Sequence, residues 1–405
     1  MLNANRITSD SVLDLIISLK WKSNHAIHTD TYQACKVNIW RDLLPPVLLD
    51  ALINKEAGER VEVQLEDGEA VEAFASQNIF DIQLAQYDRQ YSKDMDGEPH
   101  LGRFYPKGLL KGITGIFRAN VQPFRCVGLN NGLMTVDFNH PLAGKDLHLS
   151  AVVGKVESKR TERGGVSIDW MEALTHGPGM QARWQNQKTD YFSDGAFGRD
   201  DNQPDAKFYR KPRYVYHIDD TACEMVRSTY GRFLTDGMQV LDLMSSWQSH
   251  IPANLHLDQL VGLGLNEDEL KANSQLSDFQ IHDLNADPAL PFESNTFDAV
   301  VNTVSVEYLT DPLAVFKEVS RILRPDGFFI VTFSNRWFPT KALKIWPRLH
   351  EFERMGMVLE YFLRVGEFKD LQTYSIRGLP RPHDDKYFPE LLYSDPVYAV
   401  WGRKQ

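Results

Sequence analysis

Hydrophobic and polar positions follow two different rhythms along this chain. From residue 10 to about 157, short apolar runs alternate with polar positions and break at turn residues: LIISLKW, RVEVQLEDGEAV, LMTVDF and LHLSAVVGKV. Alternation over so few residues predicts strands with one buried face. Between them PPVLLDALINKEAG has helical spacing, opening with proline and closing on Gly58, the asymmetry that helix ends favour. From about 215 onward, apolar runs alternate with amphipathic stretches, which predicts a parallel, doubly wound sheet. MQVLDL, QLVGLGL, LSDFQIHDLN, TFDAVVNTVSV and GFFIVTFSN are its five successive strands. LAVFKEVSRIL is a helix with Leu313, Phe316, Val319, Ile322 and Leu323 on one stripe, and RPDG ends it. SHIPANLHLD, after the first of these strands, is expected as a short helix.

Residues 158–212, between the two halves, are polar and rich in Gly, Asp, Asn and Gln, and read as a linker. Trp170, Trp184, Tyr191 and Phe192 are too many aromatics for a free coil, so the linker is expected to be partly packed. At 405 residues the chain is long enough for two domains. With 42% hydrophobic and 24% charged residues it has a globular composition. A formal charge of −11 disfavours nucleic acid and anionic membranes as partners. No window approaches the roughly 18 apolar residues of a membrane span. The N-terminal apolar stretch is interrupted by Asp14 and reads as a strand, not a signal peptide. Cys35, Cys126 and Cys223 are far apart, without a CxxC pair. They suggest neither a metal site nor a disulfide framework, and suit a reducing cytoplasm.

The run from LPFESNTFDAVV through SVEYLTDPLAVFKEVSRILRPDGFFIVTFSN resembles class I methyltransferases that use S-adenosyl-L-methionine (SAM). The resemblance covers roughly residues 205–345, and is closest to the group acting on small molecules that includes the ubiquinone methyltransferases. It implies an α/β Rossmann-like methyltransferase domain over 213–405, SAM as cofactor and a small-molecule methyl acceptor. In that family a glycine-rich loop follows the first strand, and an acid for the ribose ends the second. Here the loop is Met244–Ser249, without glycine, and the acid's place falls on Gly264. The spelling VLDLMSSW resembles a subgroup of these enzymes, which implies a loop that holds the cofactor differently. Decay into an empty loop filled by Trp247 is the competing reading. The resemblance implies cofactor contacts from Asp242, Met244, Ser245, Ser246 and Trp247, with Gly264 and Asn266 after the second strand. Asp283, Leu284 and Asn285 follow the third strand, where a carboxylate accepts the adenine amine. Ser305 follows the fourth. Upstream, Arg213 and His217 are placed to meet the carboxylate of SAM. Ser249 adds a further hydroxyl to the loop. Glu307, Tyr308 and His250 are the catalytic candidates, Glu307 or His250 serving as general base. Asn335, Arg336 and Trp337 lie on the acceptor side.

VNIWRDLLPPVLLDALINKEAGERVEVQL has the outline of an FKBP-type prolyl isomerase, and VDFNHPLAGKDLHL resembles the end of bacterial members with an inserted chaperone flap. This implies an α+β FKBP-like domain over 1–157 with a flap insertion at about 75–135, and Asn130-Asn131-Gly132 as a hairpin turn within it. Trp40, Arg41, Asp42 and the double proline crowd the place of the substrate proline. The resemblance therefore implies a docking module for a protein or peptide, with doubtful isomerase activity. The resemblance implies that His140 belongs to a structural turn rather than a metal site. Two other functions stay open: a non-catalytic binding or chaperone protein built from two degenerate enzyme folds, or an active isomerase.

Overall fold

The structure is a computed structural model and describes residues 6–91, 97–159, 161, 164–193 and 195–405. They form two compact units. The first holds the chain up to Gln187 together with Tyr374–Leu379; the second holds Lys188–Thr373 and Pro380–Gln405. No described helix is long and apolar enough to cross a membrane, and no cluster among the described residues has the makings of a metal site.

In the first unit the strands are β1 (Ser11–Lys22), β2 (Ile27–Asn38), β3 (Arg60–Leu65), β4 (Ile79–Gln83), β5 (Phe104–Pro106), β6 (Pro123–Asn130), β7 (Leu133–Asp137) and β8 (Leu147–Ser158). β2, β1, β8 and β3 lie side by side in that order as an antiparallel sheet. β1 alternates strictly, with Leu13, Leu15, Ile17, Leu19 and Trp21 all buried. Helix α1 (Pro46–Leu52) covers one face through Leu48 and Leu52. It is shorter than its sequence pattern: Asn54 takes φ 67°, and Gly58, at φ 88°, serves the turn into β3 by donating to the Val153 carbonyl. Strands β4, β7, β6 and β5 form a separate antiparallel sheet from the stretch expected as an insertion. Asn131 and Gly132 join β6 to β7 with φ 47° and 79°, the two left-handed residues of a tight hairpin.

The stretch expected as a linker is divided between the units. Helix α2 (Trp170–Thr175) belongs to the first, its amides capped by Asp169. Trp170, Met171 and Leu174 enter the core, and the Trp170 indole donates to Asp42 at 3.0 Å. Arg377 donates to the Leu174 and His176 carbonyls, which have no partner within the helix.

The second unit contains α3 (Asp205–Phe208), α4 (Asp220–Tyr230), β9 (Gln239–Leu243), β10 (Gln259–Gly264), α5 (Glu267–Ala272), β11 (Asp278–Ile281), β12 (Phe297–Thr303), α6 (Pro312–Ile322), β13 (Leu323–Phe333), α7 (Glu351–Val365), the part of β14 (Phe368–Arg377) before Tyr374, and β15 (Val397–Lys404). The sheet runs β11, β10, β9, β12, β13, β15, β14. Its first five strands are parallel, and β15 returns antiparallel to β13. The order reverses between β9 and β12, the point where such sheets bind ligands at strand C-termini. All five predicted strands are present, but SHIPANLHLD forms no helix. His250 takes φ 54° and Pro252 offers no amide hydrogen, so the chain passes to β10 through a turn.

A solvated linker would tolerate truncation of Leu174. Because that side chain is fully buried, Leu174→Ala is expected to cost about 2–4 kcal/mol, read as a lower urea midpoint for the full chain.

Candidate functional site

A cavity of about 340 Å³ opens at the C-terminal ends of the five parallel strands. It is lined by Met244–Ser246 after β9, Gly264–Asn266 after β10, His282–Asn285 after β11, Thr303–Ser305 and Tyr308 after β12, and Arg336–Phe338 after β13. Asp205, Tyr209, Arg213 and the 215–217 segment close one side; Lys386 and Tyr387 close another. Its size is that of a small-ligand pocket.

The glycine-free loop reaches this place by moving the close approach onto the neighbouring strand. The Ser245 amide donates to Leu263 at 2.7 Å, which seats the loop on the end of β10. A Cβ at Gly264 would lie 2.3 Å from the Ser245 carbonyl, so only glycine fits there. Met244 supplies the left-handed turn at φ 61°, a conformation uncommon outside glycine.

Ser245 and Ser246 donate their hydroxyls, but to protein carboxylates: Ser245 to Asp242 at 2.6 Å and Ser246 to Glu269 at 2.8 Å. Ser249 is also directed to Asp242, and accepts from Asn273. Asp242 is buried inside β9. Burial pushes its carboxyl up to about 7, and the two serine hydroxyls only partly offset this. The serines therefore brace the loop. Trp247 packs against Tyr216, with centroids 4.9 Å apart, and donates to the Val215 carbonyl. It lines a smaller neighbouring cavity of about 50 Å³ rather than filling the larger one.

Arg213 lies in the cavity wall, stacked over Phe208 at 4.5 Å and donating from Nη2 to the Phe208 carbonyl; its Nη1 is buried without a partner among the described residues. His217 lines the same wall against the Phe338 ring. Asp283 accepts the Asn285 amide on Oδ1 only. Leu284 is buried beside it. The Asn266 amide is engaged at both ends: it donates to the Tyr209 carbonyl and caps α5 by accepting from Glu269. Asn285 is engaged likewise, donating to Asp205 and the Tyr308 carbonyl and accepting twice from Thr310. Ser305 lines the cavity and accepts from Asn302.

The three catalytic candidates fall in three places. Tyr308 lines the cavity, and its hydroxyl accepts the Phe338 amide. His250 faces the smaller cavity, its Nδ1 buried without a partner among the described residues, and burial lowers its ring to about 4. Glu307 lines neither cavity. It is 1% exposed, neither carboxyl oxygen has a hydrogen-bond partner among the described residues, and burial pushes it up to about 8. Sequence reasoning passed over Glu269 and Asp205. Glu269 accepts the Arg213 amide at 2.6 Å. Asp205 is held below the usual carboxylate range: burial raises it, but Arg199, Asn285 and Lys341 outweigh that. Glu269 stands five residues past Gly264, close enough to the missing acid for NEDEL to have signalled it.

Residues 246–331 match the family described as "Methyltransferase domain". Over 86 residues the chain is 31% identical to the mitochondrial arginine hydroxylase NDUFAF5 of Danio rerio, covering 20% of this chain and 27% of that one. Over 64 residues it is 36% identical to the Homo sapiens protein of the same name, covering 16% and 19%. The chain thus spans about a quarter or less of these relatives' length. Among solved structures it is similar to a methyltransferase in complex with the Haloferax volcanii Trm112 methyltransferase activator, at 18% identity and TM-score 0.35, covering 45% of this chain and 90% of that one. The matched segment lies within the second unit, from the loop after β9 to β13.

Glu307 gives a test of the electrostatics. Its native carboxyl keeps a proton that the unfolded chain has already lost above the ordinary carboxylate range. The resulting stability is complete below about 4.5 and disappears as pH rises to about 8. Glu307→Gln removes the titration. The stability of the native protein relative to this variant is expected to fall between pH 4.5 and 8, by on the order of a few kcal/mol, in urea melts at each pH. Parallel pH curves for the two proteins would contradict the burial.

Proposed function

We propose that the second unit transfers the methyl group of SAM to a small-molecule acceptor bound in the large cavity. The observation that carries this reading is the unpartnered Arg213 Nη1 in the cavity wall at the sheet's switch point. A buried donor without a partner is costly; Nη2 of the same guanidinium donates to the Phe208 carbonyl, and the methionyl carboxylate of SAM is the complement that Nη1 lacks. Asp283 has an oxygen to accept the adenine amine. Met244–Ser246 and Gly264 present backbone beneath the middle of the cofactor, braced by Asp242 and Ser249. Leu284 and Ser305 complete the walls. Asn266 and Asn285 act as supports, since their amides are already engaged. Glu269 holds the Arg213 backbone and the Ser246 hydroxyl in register.

Bound SAM supplies a methyl group on a sulfonium, a strong leaving group. The protein then has to align the acceptor, exclude water and, where needed, take a proton. Tyr308 is the candidate that touches the cavity. Its hydroxyl accepts from Phe338 and retains its own hydrogen to orient the acceptor. Trp247 packs on Tyr216 beside the loop and lines the smaller cavity.

For the first unit we propose an FKBP-like docking module for a protein or peptide. A strand–helix–strand core with an inserted second sheet supports this reading. Asp42, where the segment entering the helix is crowded, is already taken by the Trp170 indole and the Asn38 amide. Arg41 donates to the Gly164 carbonyl. These contacts leave little room for a substrate proline.

Calorimetry with S-adenosylhomocysteine (SAH) and the full chain is expected to show binding, and Arg213→Met to weaken it at least about tenfold, the scale of a lost charge-assisted bond. Absence of binding at millimolar SAH would end the methyltransferase reading. The full chain is also expected to be inactive on a short prolyl peptide; robust isomerisation would restore the third function.

A further inference from the structure

The guanidinium of Arg213 is enclosed by rings. Its centre lies 4.5 Å from the ring centroid of Phe208, 5.6 Å from that of Tyr209 and 5.3 Å from that of Phe338. A guanidinium packed on aromatic faces is attracted to them and loses freedom to rotate. The three rings differ in where they are anchored. Phe208 ends α3 and Tyr209 follows it, so both belong to the short segment that carries Arg213 itself. Phe338 comes from beyond β13 and fastens the guanidinium to the sheet. Its own backbone is held on both sides. The amide donates to the Tyr308 hydroxyl at 2.9 Å, and the carbonyl accepts the Lys341 and Ala342 amides at 3.1 and 3.0 Å. The Phe338 ring meets those of Phe208 and His217 edge to face, at 5.5 and 5.3 Å, the arrangement aromatic pairs favour. Glu269 holds the Arg213 amide and the Phe208 carbonyl takes Nη2, at 2.6 and 3.1 Å. Nη1 has no partner among the described residues, and its direction is set by the rings.

We propose that Phe338 is a positioning residue for the cofactor: its ring fixes the direction in which Arg213 presents Nη1, and so the strength of that group as a partner for a carboxylate. The inference rests on the methyl-transfer reading above and names the residue that holds its anion-binding group to the sheet. Hydrogen bonds weaken steeply as they bend, and the planar guanidinium fork has little give once its axis is wrong. Leucine in place of Phe338 would keep apolar bulk but offer no flat face. The guanidinium would then be oriented only by Phe208, Tyr209 and the Phe208 carbonyl, all within its own segment. Tyrosine keeps the face. A role in packing alone has a different signature, because a slack cavity wall weakens every ligand, whereas a turned guanidinium weakens only those that carry the carboxylate.

The test is calorimetry on the full chain with two ligands, SAH and methylthioadenosine, which shares the adenosine and thioether of SAH but has no amino-acid end. Phe338→Leu is expected to lower SAH affinity about fivefold, within the loss that Arg213→Met itself brings. Methylthioadenosine affinity is expected to stay unchanged, and Phe338→Tyr to bind SAH as the native protein does. In an Arg213→Met background the leucine substitution is expected to cost SAH nothing further, since its effect runs through the guanidinium. Equal losses for the two ligands, an unchanged SAH affinity in Phe338→Leu, the same loss in Phe338→Tyr, or a loss that persists in the Arg213→Met background would each overturn the proposal. SAH is titrated first against the native protein and Arg213→Met. If the native protein fails to bind it, or the two bind it alike, the methyl-transfer reading or its Arg213 contact falls and takes the positioning role with it. If both hold and only the selective loss is missing, the positioning role falls alone.

Discussion

The second unit depends on one backbone contact, the seating of Ser245 on the end of β10. The amide of Ser245 reaches the Leu263 carbonyl and its own carbonyl lies over Gly264, where no side chain could stand. This contact turns the chain after β9 sideways, toward β10, rather than onward over the top of the sheet. The space above the switch point is left open as a result. Asp242, one turn back, accepts the Ser245 hydroxyl and so ties the loop to the strand that launches it. A hydroxyl donated to a buried carboxylate is a stronger tether than one exposed to water. Rigidity that a glycine-rich loop would draw from ligand contacts is here built into the protein.

A second layer of constraint comes from buried charge. Lys341 is fully buried between Asp201 and Asp205, and Arg199 pairs with Asp205 at 2.8 Å. Removing one partner of such a group would strand the others in a medium of low polarity. Asn285 joins the cluster by donating to Asp205, and with its other contacts spans the chain after β11 and the chain after β12. The short helix α3 is thereby fixed, and with it Tyr209 and Arg213, which follow directly in sequence. Among the described residues Arg213 Nη1 has no hydrogen-bond partner and Lys386 no carboxylate partner, and both residues line the cavity.

The parallel strands were legible because each is a run of apolar residues closed by polar ones, a pattern set by burial on both faces. So was the Asn131–Gly132 hairpin, whose two left-handed residues leave few alternatives. The missing helix after Ser249 shows the limit: an apolar stretch was read by spacing, whereas Pro252 and the left-handed His250 decided the backbone. Helix α7 was not anticipated, since Phe352 through Phe362 are all buried, Glu353, Arg354 and Glu360 included. A helix buried all round has no stripe to detect. At the site, strand order located the cofactor candidates, because loops after parallel strands converge whatever their sequence. What each side chain holds was not legible. Whether a serine faces a ligand or a neighbouring carboxylate depends on Glu269 and Asp242 lying within reach, which spacing along the chain does not reveal.

Strain and side chains meet at the same two positions. Met244 after β9 and Val304 after β12 both take left-handed backbone, at φ 61° and 46°, and both line the cavity. For a β-branched residue such as Val304 this conformation is a true outlier, held by its amide's bond to the Thr332 carbonyl. Glycine would adopt either turn without cost, yet would leave the cavity wall as bare backbone. With the single close approach met by Gly264 on β10, the residues at both turns are free to be larger, and each adds an apolar surface at the switch point. The cost of each left-handed turn, about 1–2 kcal/mol, is carried by a sheet whose five parallel strands fix those loops from below. The absence of glycine after β9 is therefore a relocation of its function to the adjacent strand, and the side chains gained by that relocation shape the cavity.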